Sequence, residues 1–308
     1  MPKNIEPAIL TLNFEIGDTN VSYIDLSQCA SIVNRRFYRQ GLNWAVAGFR
    51  FGFEGSGVNL RVATLPNAWT TSGSWEKTMR AWLKQQNDAI REMGGESAVA
   101  RYRDFKVHAD SIHEGLGFGS NKLPVNPGGL GVASAVYQAG EWEPSQIVIP
   151  NNGAVGTTTE YHLHMLGASN ATSKSIISGY ANSRATPFSP DPVTPGPISN
   201  SFLNSMFDVG FNNDDIVDNA TDKNDDLPYD RDDYPGELAN GASMSTHREI
   251  SFTGTTIGAH QNMAGTNVPC GLLQVAHNHV GEANTLTMQI MLVPGDHRGY
   301  MAEPMTEM

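Results

Sequence analysis

The chain begins with a stretch in which apolar and polar residues alternate. Between Ile9 and Ile16 every second residue is apolar, and Thr11, Asn13 and Glu15 fill the positions between. A period of two is typical of a strand buried on one face. Similar patterns predict further strands at residues 42–53, 58–65, 101–111, 146–149, 158–166, 247–257, 271–279 and 285–293. A phase slip at Gly48 predicts a bulge in the strand at 42–53.

Two stretches have helical periodicity instead. The first follows Asp25, which can cap a helix and has Gln28 at the capping-box spacing, and Gly41 is placed to end it in a left-handed conformation. The second follows Ser74 as the N-cap and ends at Gly94. Its apolar stripe comprises Trp75, Met79, Trp82, Leu83, Ile90 and Met93. We expect this helix to pack its stripe against a sheet.

The composition agrees with a chain of strands and turns. Of its 308 residues, 17% are charged, and there are 31 glycines and 17 prolines. Such a composition favours an all-β sandwich with long loops. The cysteines, Cys29 and Cys270, are expected to be buried thiols. No apolar run approaches the ~20 residues of a spanning helix, and no signal peptide is evident, so no membrane insertion is expected.

Two long polar segments interrupt the strand pattern. The first, a Pro-rich loop at 183–200, contains five prolines and should be extended and exposed. Because strand patterns resume after it, we expect a single domain over 1–308, and a two-domain chain hinged at this loop is the alternative. The second is an acidic loop at 212–237, which contains ten acidic residues and two basic ones.

A short motif lies between the first helix and the strand that follows it. Residues 34–41 read Asn-Arg-Arg-Phe-Tyr-Arg-Gln-Gly, and the strand after them is rich in aromatic residues. From Ile9 to Phe53 the chain resembles the capsid (coat) proteins of circular Rep-encoding single-stranded DNA viruses, the environmental and invertebrate-associated relatives of circoviruses. The resemblance implies a non-enzymatic jelly-roll protein with one or two inserted helices. Copies of it would assemble into an icosahedral shell enclosing a single-stranded DNA genome, in the virion and in the host cell during assembly.

The charge of the chain departs from that family. Its net charge is −12, and the first thirty residues contain one basic side chain, Lys3, where the family usually has an Arg-rich arm. We therefore expect at most weak contact with DNA. The densest basic group is Arg35, Arg36 and Arg39, and on the predicted helix Arg35 and Arg39 share a face. These side chains could contact phosphates, or they could form ion pairs with neighbouring subunits or with the chain's own carboxylates.

The acidic loop offers a candidate calcium site. Asp222, Asn224 and Asp226 supply oxygens at the first, third and fifth positions of an EF-hand-like loop. Leu227 stands where that loop needs glycine, and Asp233 stands where it needs glutamate. The alternative is a solvated acidic loop with no metal. A calcium-dependent, carbohydrate-binding β-sandwich is one alternative function for the chain.

Histidines suggest the other alternative. His277, His279 and Glu282 approach the first metal-binding motif of cupins, which are jelly-roll enzymes, but the glutamate comes one residue early and no second motif follows. His162 and His164 form another His-x-His pair, on the face of the predicted strand opposite Tyr161, Leu163 and Met165. A chance pair on a polar strand face is the alternative reading of each. A metal-dependent, cupin-like enzyme is the function that this motif would support.

Overall fold

The structure is a computed structural model, and it describes residues 7–16, 19–94, 104–126, 135–150, 156–185, 233–237, 244–278 and 286–307. Most of its elements are strands. In chain order the strands and α-helices are β1 (Thr11–Ile16), β2 (Val21–Asp25), α1 (Leu26–Asn34), β3 (Leu42–Gly52), β4 (Val58–Thr64), α2 (Trp69–Met93), α3 (Ser111–Leu116), β5 (Val125–Asn126), β6 (Ala135–Val136), β7 (Gln146–Pro150), β8 (Thr158–His164), β9 (Ser173–Ser175), α4 (Ile176–Ala185), β10 (Ser245–Phe252), β11 (His260–Val268), β12 (Leu272–His277), β13 (Leu286–Leu292), β14 (Pro294–Gly295), β15 (Gly299–Tyr300) and β16 (Ala302–Pro304). The mostly-β prediction is confirmed, although the described residues hold four α-helices where one or two were expected.

Two antiparallel sheets dominate the fold. Sheet 1 has the order β1-β13-β3-β11, with β16 beside β3, and sheet 2 has the order β10-β4-β12-β2. Strands from before and after the Pro-rich loop pair in both sheets, β4 with β10 and β3 with β13. Alternation along β1 puts Leu12, Phe14 and Ile16 in the core between the sheets. We call this the sandwich core.

The sandwich core is made of aliphatic and aromatic side chains. Its members from both sheets include Trp44, Phe49, Phe51, Leu60, Val62, Leu273, Val275, Met288 and Ile290. The predicted irregularity in β3 is confirmed, because Met291 pairs with Gly48 while Leu292 pairs with Val46, which leaves one residue of β3 bulged out. Opposite the bulge, Gly265 of β11 lies so close to β3 that a Cβ would overlap the Val46 carbonyl oxygen.

A long insertion, residues 65–244, connects β4 to β10 and covers the outer face of sheet 2. The apolar residues between this sheet and the insertion form a second core, which we call the seam core. Its members include Tyr23, Ala63, Leu65, Trp75, Phe105, Val107, Ala109, Leu163, Met165, Ile176, Ile177 and Leu272. Adjacent residues of one strand therefore enter different cores, such as Tyr23 in the seam core and Ile24 in the sandwich core. The outer face of sheet 1 carries exposed polar residues such as Glu15, Arg50 and Thr287.

The first helix is shorter than predicted. Asp25 caps it as expected, but it ends at Asn34, and Arg35 follows in a left-handed conformation with φ of 54°. Two bonds hold the chain at this end of the helix: Asn34 donates to the Tyr300 hydroxyl, 266 residues away, at 2.7 Å, and the Tyr38 backbone amide donates to Ser31 Oγ at 2.9 Å. The prediction that Gly41 ends the helix is wrong.

The second helix, α2, is longer than predicted. It begins at Trp69 with Ala68 at the N-cap, not at Ser74, and it ends at Gly94 as expected. Its predicted stripe is confirmed for Trp75, Met79 and Trp82, which pack in or against the seam core, but it is wrong for Met93, which is 72% exposed. Sequence patterns miss the first turn because its residues, Trp-Thr-Thr-Ser-Gly, are poor helix formers.

Two glutamine side chains each bond both the amide and the carbonyl of one backbone residue, as a neighbouring strand would do. The Gln40 amide bonds the Val107 amide and carbonyl at 2.7 and 3.0 Å, and the Gln85 amide bonds those of Val148 at 3.1 and 2.7 Å. In the described part of the predicted strand at 101–111, only His108 forms a β-bridge, which is parallel and pairs it with His164. Residues 104–107 have no strand partner, although Phe105, Val107 and Ala109 are buried as the pattern predicted.

Some predictions fall wholly or partly outside the described residues. Only 183–185 of the Pro-rich loop are described, and they are the last residues of α4, which corrects the prediction that the loop begins at 183. Of the acidic loop only 233–237 are described, and there Tyr234 and Glu237 are buried. Cys29 and Cys270 are buried free thiols, as predicted. Among the described residues no helix has both the length and the apolarity to span a bilayer.

Candidate functional site

A network of buried polar side chains lies at the edge of the seam core. We call it the polar seam. It joins sheet 2 and α1 to the insertion, and its members are Tyr23, Asp25, Gln28, Gln40, Asp110, His113, Asn121, Trp142 and Gln274. Buried polar groups stabilise a fold only when their hydrogen bonds are made, because an unmade bond in the interior costs about 1–3 kcal/mol. Because the polar seam brings two buried carboxyl groups, a histidine and a tyrosine into one hydrogen-bonded network, we treat it as the candidate site.

Asp25 is the centre of one half of the polar seam. Its Oδ1 accepts from the Ser27 and Gln28 backbone amides at 2.9 and 3.2 Å, which caps α1. Its Oδ2 accepts from Gln40 Nε2 at 3.1 Å and from Trp142 Nε1 at 3.0 Å. Burial raises the pKa of Asp25 to about 7, while these four donors act against that rise. One carboxyl group thus connects a helix start, the β3 entry and the insertion.

Asp110 is the centre of the other half. Its carboxylate accepts from the Tyr23 hydroxyl at 2.7 and 2.9 Å and from the His113 backbone amide at 2.8 Å. The Tyr23 hydroxyl also accepts from Gln274 Nε2 at 2.8 Å. The rings of Tyr23 and His113 stack with centroids 4.4 Å apart. Burial and the neighbouring Asp110 raise the pKa of Tyr23, so the phenol stays protonated.

His113 links the two halves. Its Nδ1 accepts from the Ala109 backbone amide at 3.0 Å, so the proton is on Nε2, which donates to Asn121 Oδ1 at 2.8 Å. Asn121 Nδ2 in turn donates to Gln28 Oε1 at 3.0 Å. Burial lowers the pKa of His113 to about 4, which keeps the ring neutral. The chain of bonds from Asp110 to α1 is therefore complete without any ligand.

A small cavity of about 240 Å³ adjoins the polar seam. Its lining includes Gln28, His108, Glu114, Phe118, Trp142 and His162. The His108 ring lies edge-on to the rings of His113 and His162, with centroids 5.1 and 5.8 Å away, and burial lowers the pKa of His108 to about 3. Among the described residues, no group of three or more His, Cys, Asp or Glu side chains is placed to hold a metal ion.

The geometry of the polar seam suits a structural role, joining the insertion to sheet 2, better than a catalytic one. A nucleophile or general base needs access to a substrate and a free lone pair. Asp110 and His113 are 4% and 0% exposed, and their hydrogen bonds go to protein groups. The sequence patterns missed this network, apart from Asp25 as a cap. The available signal was the Asp110-Ser-Ile-His113 spacing, which places a cap and its N3 residue at the start of α3.

The structure separates the three arginines that the sequence pattern grouped. Arg35 lies past the end of α1, so it does not share a helix face with Arg39. Arg36 donates to the Pro7 carbonyl at 3.2 Å, and the exposed Arg39 lines a groove beside Asp104. These positions correct the predicted helical patch, while a role of the arginines in contacting DNA stays a prediction.

The predicted metal ligands are divided between described and undescribed residues. Asp222, Asn224, Asp226, His279 and Glu282 lie outside the described residues. His277 is buried at the end of β12, and His162 and His164 are on β8. His164 is fully buried, which corrects the prediction of a polar strand face: its ring nitrogens bond Ser173 Oγ at 2.8 Å and the Ala168 carbonyl at 3.1 Å. With both nitrogens engaged, His164 is a structural residue.

Comparisons of the chain with models of known protein families, with curated proteins and with solved structures find no match.

Proposed function

We propose that this chain is a viral coat protein whose single jelly-roll domain, residues 1–308, assembles with copies of itself into a closed icosahedral shell. The observation that carries the proposal is the strand order of the two sheets. With β16 left out, the eight strands of sheets 1 and 2 visit the sheets in the sequence 1, 2, 1, 2, 2, 1, 2, 1, and each sheet mixes strands from both ends of the chain. Two interlocked Greek keys produce this order in jelly rolls, which are common in viral capsids.

The position of the insertion supports the same proposal. It leaves the sandwich between β4 and β10, at the junction of the two four-strand halves, and its described residues pack on sheet 2. The subunit thus has two unlike sides, one built by the insertion and one formed by the polar face of sheet 1. A closed shell needs subunits whose inner and outer sides differ, and the long insertion can supply outer surface and contacts around symmetry axes.

The content of the sandwich core argues against the cupin-like alternative. In a cupin, metal ligands project into the barrel between the sheets. Here the described side chains between the sheets are mostly aliphatic or aromatic, with Phe49, Phe51 and Trp44 fully buried among them. The buried His277 is an exception, because it pairs with Leu60 and shares a face of β12 with Leu273 and Val275, but a single histidine does not make a metal site. We therefore propose a structural and non-enzymatic role, with no required cofactor. A calcium ion at Asp222, Asn224 and Asp226, and the carbohydrate-binding alternative, remain predictions from sequence.

The charge of the chain shapes the proposed assembly. With a net charge of −12, the subunit cannot rely on nucleic acid to hold the shell together. We propose that contacts between copies drive assembly, and that single-stranded DNA binds weakly through local groups such as Arg39. The location follows as the virion, and the host cell during assembly.

Sedimentation velocity of the purified, nuclease-treated chain tests the proposal. We expect one large, uniform species over a range of salt concentrations and pH values. A ratio of absorbance at 260 and 280 nm typical of protein would show that the particles form without packaged nucleic acid. A chain that is folded by circular dichroism but stays a monomer or dimer in all of these conditions would contradict the proposal.

A further inference from the structure

A second concave surface lies away from the polar seam, between α2 and the start of β3. It is a groove of about 650 Å³, within the ~300–1,000 Å³ range that is common for small-molecule sites. Its apolar lining consists of Phe37, Leu42, Trp75, Met79, Trp82, Leu83 and Phe105. Trp75 and Trp82 lie against Phe105 with ring centroids 5.8 and 5.6 Å away, so the aromatic wall is packed from behind.

Charged groups of the lining are unevenly distributed. Arg39 and Arg298 are exposed, whereas Asp104 is 8% exposed. Lys106 Nζ, outside the groove, lies 3.4 Å from Asp104 Oδ2, and Lys106 and Arg39 both oppose the rise that burial causes in the pKa of Asp104, which reaches about 6. His297, the remaining titratable residue of the lining, has a pKa lowered by burial and by Arg298. The surface that a ligand would meet therefore has an apolar wall and two guanidinium groups.

The position of Arg298 is fixed by the fold. Its Nη1 donates to the Phe37 carbonyl at 2.6 Å, and its own carbonyl accepts from the Tyr38 hydroxyl at 3.0 Å. The residue has a φ of 50°, a conformation that non-glycine residues rarely adopt and that is often retained at binding sites. Arg298 is thus held beside the segment that carries Phe37 and Arg39, and both arginines line the groove.

We propose that this groove binds a small amphipathic anion, an alkyl or aryl chain with a carboxylate head group. The apolar part would lie on the Trp75, Trp82 and Phe105 wall, and the head group would lie beside Arg39 and Arg298. Guanidinium groups suit this recognition because their N–H fork matches a carboxylate. A ligand with a cationic head group fits poorly, since the exposed charges of the lining are the two guanidinium groups and Asp104 is 8% exposed. The inference concerns the folded subunit and does not depend on shell formation.

Isothermal titration calorimetry with dodecanoate, below its micelle concentration, tests the proposal. We expect one molecule per chain, and binding of dodecyltrimethylammonium, which has the same alkyl chain and the opposite charge, about tenfold weaker or more. Equal affinity for the two amphiphiles would overturn the assignment of an anion site, and so would the absence of binding by dodecanoate. Neither result would bear on assembly, which is measured separately by sedimentation.

Two matched pairs of variants locate the site. Arg39→Gln should weaken dodecanoate binding about three- to fivefold, as expected for loss of one partly exposed ion pair. The control is Arg50→Gln, which should bind dodecanoate like wild type. Arg50 lies on β3 about 26 Å from Leu42, at ~3.3 Å per residue, and it does not line the groove. Leu83→Trp should fill the groove and abolish binding, whereas Leu83→Met should retain it. Wild-type affinity in Arg39→Gln or in Leu83→Trp, with unchanged melting temperature, would place the ligand elsewhere and refute the proposal.

Discussion

The sandwich core and the seam core are built on opposite faces of the same sheet, yet different interactions hold them. The sandwich core consists of aliphatic and aromatic side chains from two sheets. The seam core has an apolar part, around Trp75 and Phe105, and at its edge the polar seam of Asp25, Asp110 and His113. Apolar burial is non-directional, whereas hydrogen bonds fix orientation. We infer that the polar seam sets where the insertion sits on sheet 2.

Because the two cores are held by different interactions, we expect mutations in them to lower the free energy of unfolding by different amounts. The largest loss is expected in the sandwich core. Phe51 is fully buried and stacks on Phe49 with ring centroids 6.5 Å apart. Phe51→Ala should lower the free energy of unfolding by about 3–5 kcal/mol, because it removes apolar contact and leaves a cavity. Urea unfolding of the unassembled chain measures this. The neighbouring Arg50→Gln is the control, with an expected change below about 0.5 kcal/mol. A loss at Phe51 no larger than the control's would mean that the two sheets are not packed as described.

The next largest effect belongs to the polar seam. Asp25→Asn replaces an acceptor oxygen with an amide that donates, so two of the four donors around the side chain lose their partner. At pH 8, where the Asp25 carboxylate is ionised, we expect a loss of about 2–3 kcal/mol in the free energy of unfolding. Asp88→Asn, the same substitution at an exposed position of α2, should change it by less than about 0.5 kcal/mol. Equal effects of the two substitutions would show that the Asp25 bonds do not stabilise the seam.

Asp25 also makes the free energy of unfolding depend on pH. Burial raises its pKa from 3.8 to about 7, so between these values the folded chain holds a proton that the unfolded chain has released. This group therefore makes the free energy of unfolding fall as pH rises. His108 and His113 act in the opposite direction, because burial lowers their pKa values from 6.5 to about 3 and 4.

When the Asp25 carboxyl is removed, the rise of unfolding free energy with pH that His108 and His113 contribute should no longer be offset by Asp25. We expect the slope of unfolding free energy against pH in Asp25→Asn to be more positive than in wild type by up to about 1.4 kcal/mol per pH unit, from about pH 4.5 to about pH 6. Urea unfolding at several pH values measures both slopes. Parallel slopes in the two proteins would indicate that Asp25 stays ionised throughout this range.

The sequence predicts the sandwich core better than the seam core, and particular residues show why. Alternation identifies β1, β4 and β13 because each buries one face in the sandwich core. It misses β2, where residues 22–25 are all buried because both faces are covered. It also misses β11, an edge strand with few apolar residues and with Gly265 at the bulge.

The polar seam could not be predicted because its bonds join residues far apart in the chain. Tyr23 and Asp110 are 87 residues apart, and Asp25 and Trp142 are 117 apart. Local patterns report on neighbours within a few residues and carry no information on such pairs. For the same reason the end of α1 was misplaced, since Tyr300 and Asn34 meet only in the folded chain.

The smallest effect is expected at the three arginines outside both cores. A variant with Arg35, Arg36 and Arg39 all changed to alanine should lose at most about 1 kcal/mol of unfolding free energy, because exposed charges contribute little. If protein contacts drive assembly, this variant should still form particles with wild-type sedimentation. A strict need for these arginines, or for added DNA, would show that nucleic acid organises the shell.

Electron microscopy of the purified, nuclease-treated wild-type chain tests the central claim most directly. A jelly-roll coat protein whose own contacts drive assembly should appear as closed, uniform, roughly spherical particles, mostly empty or lightly filled. Fields that show only small single molecules, from protein that is folded and soluble in several buffers, would contradict the coat-protein account. Particles densely filled with nucleic acid would keep the shell but contradict its assembly by protein contacts alone.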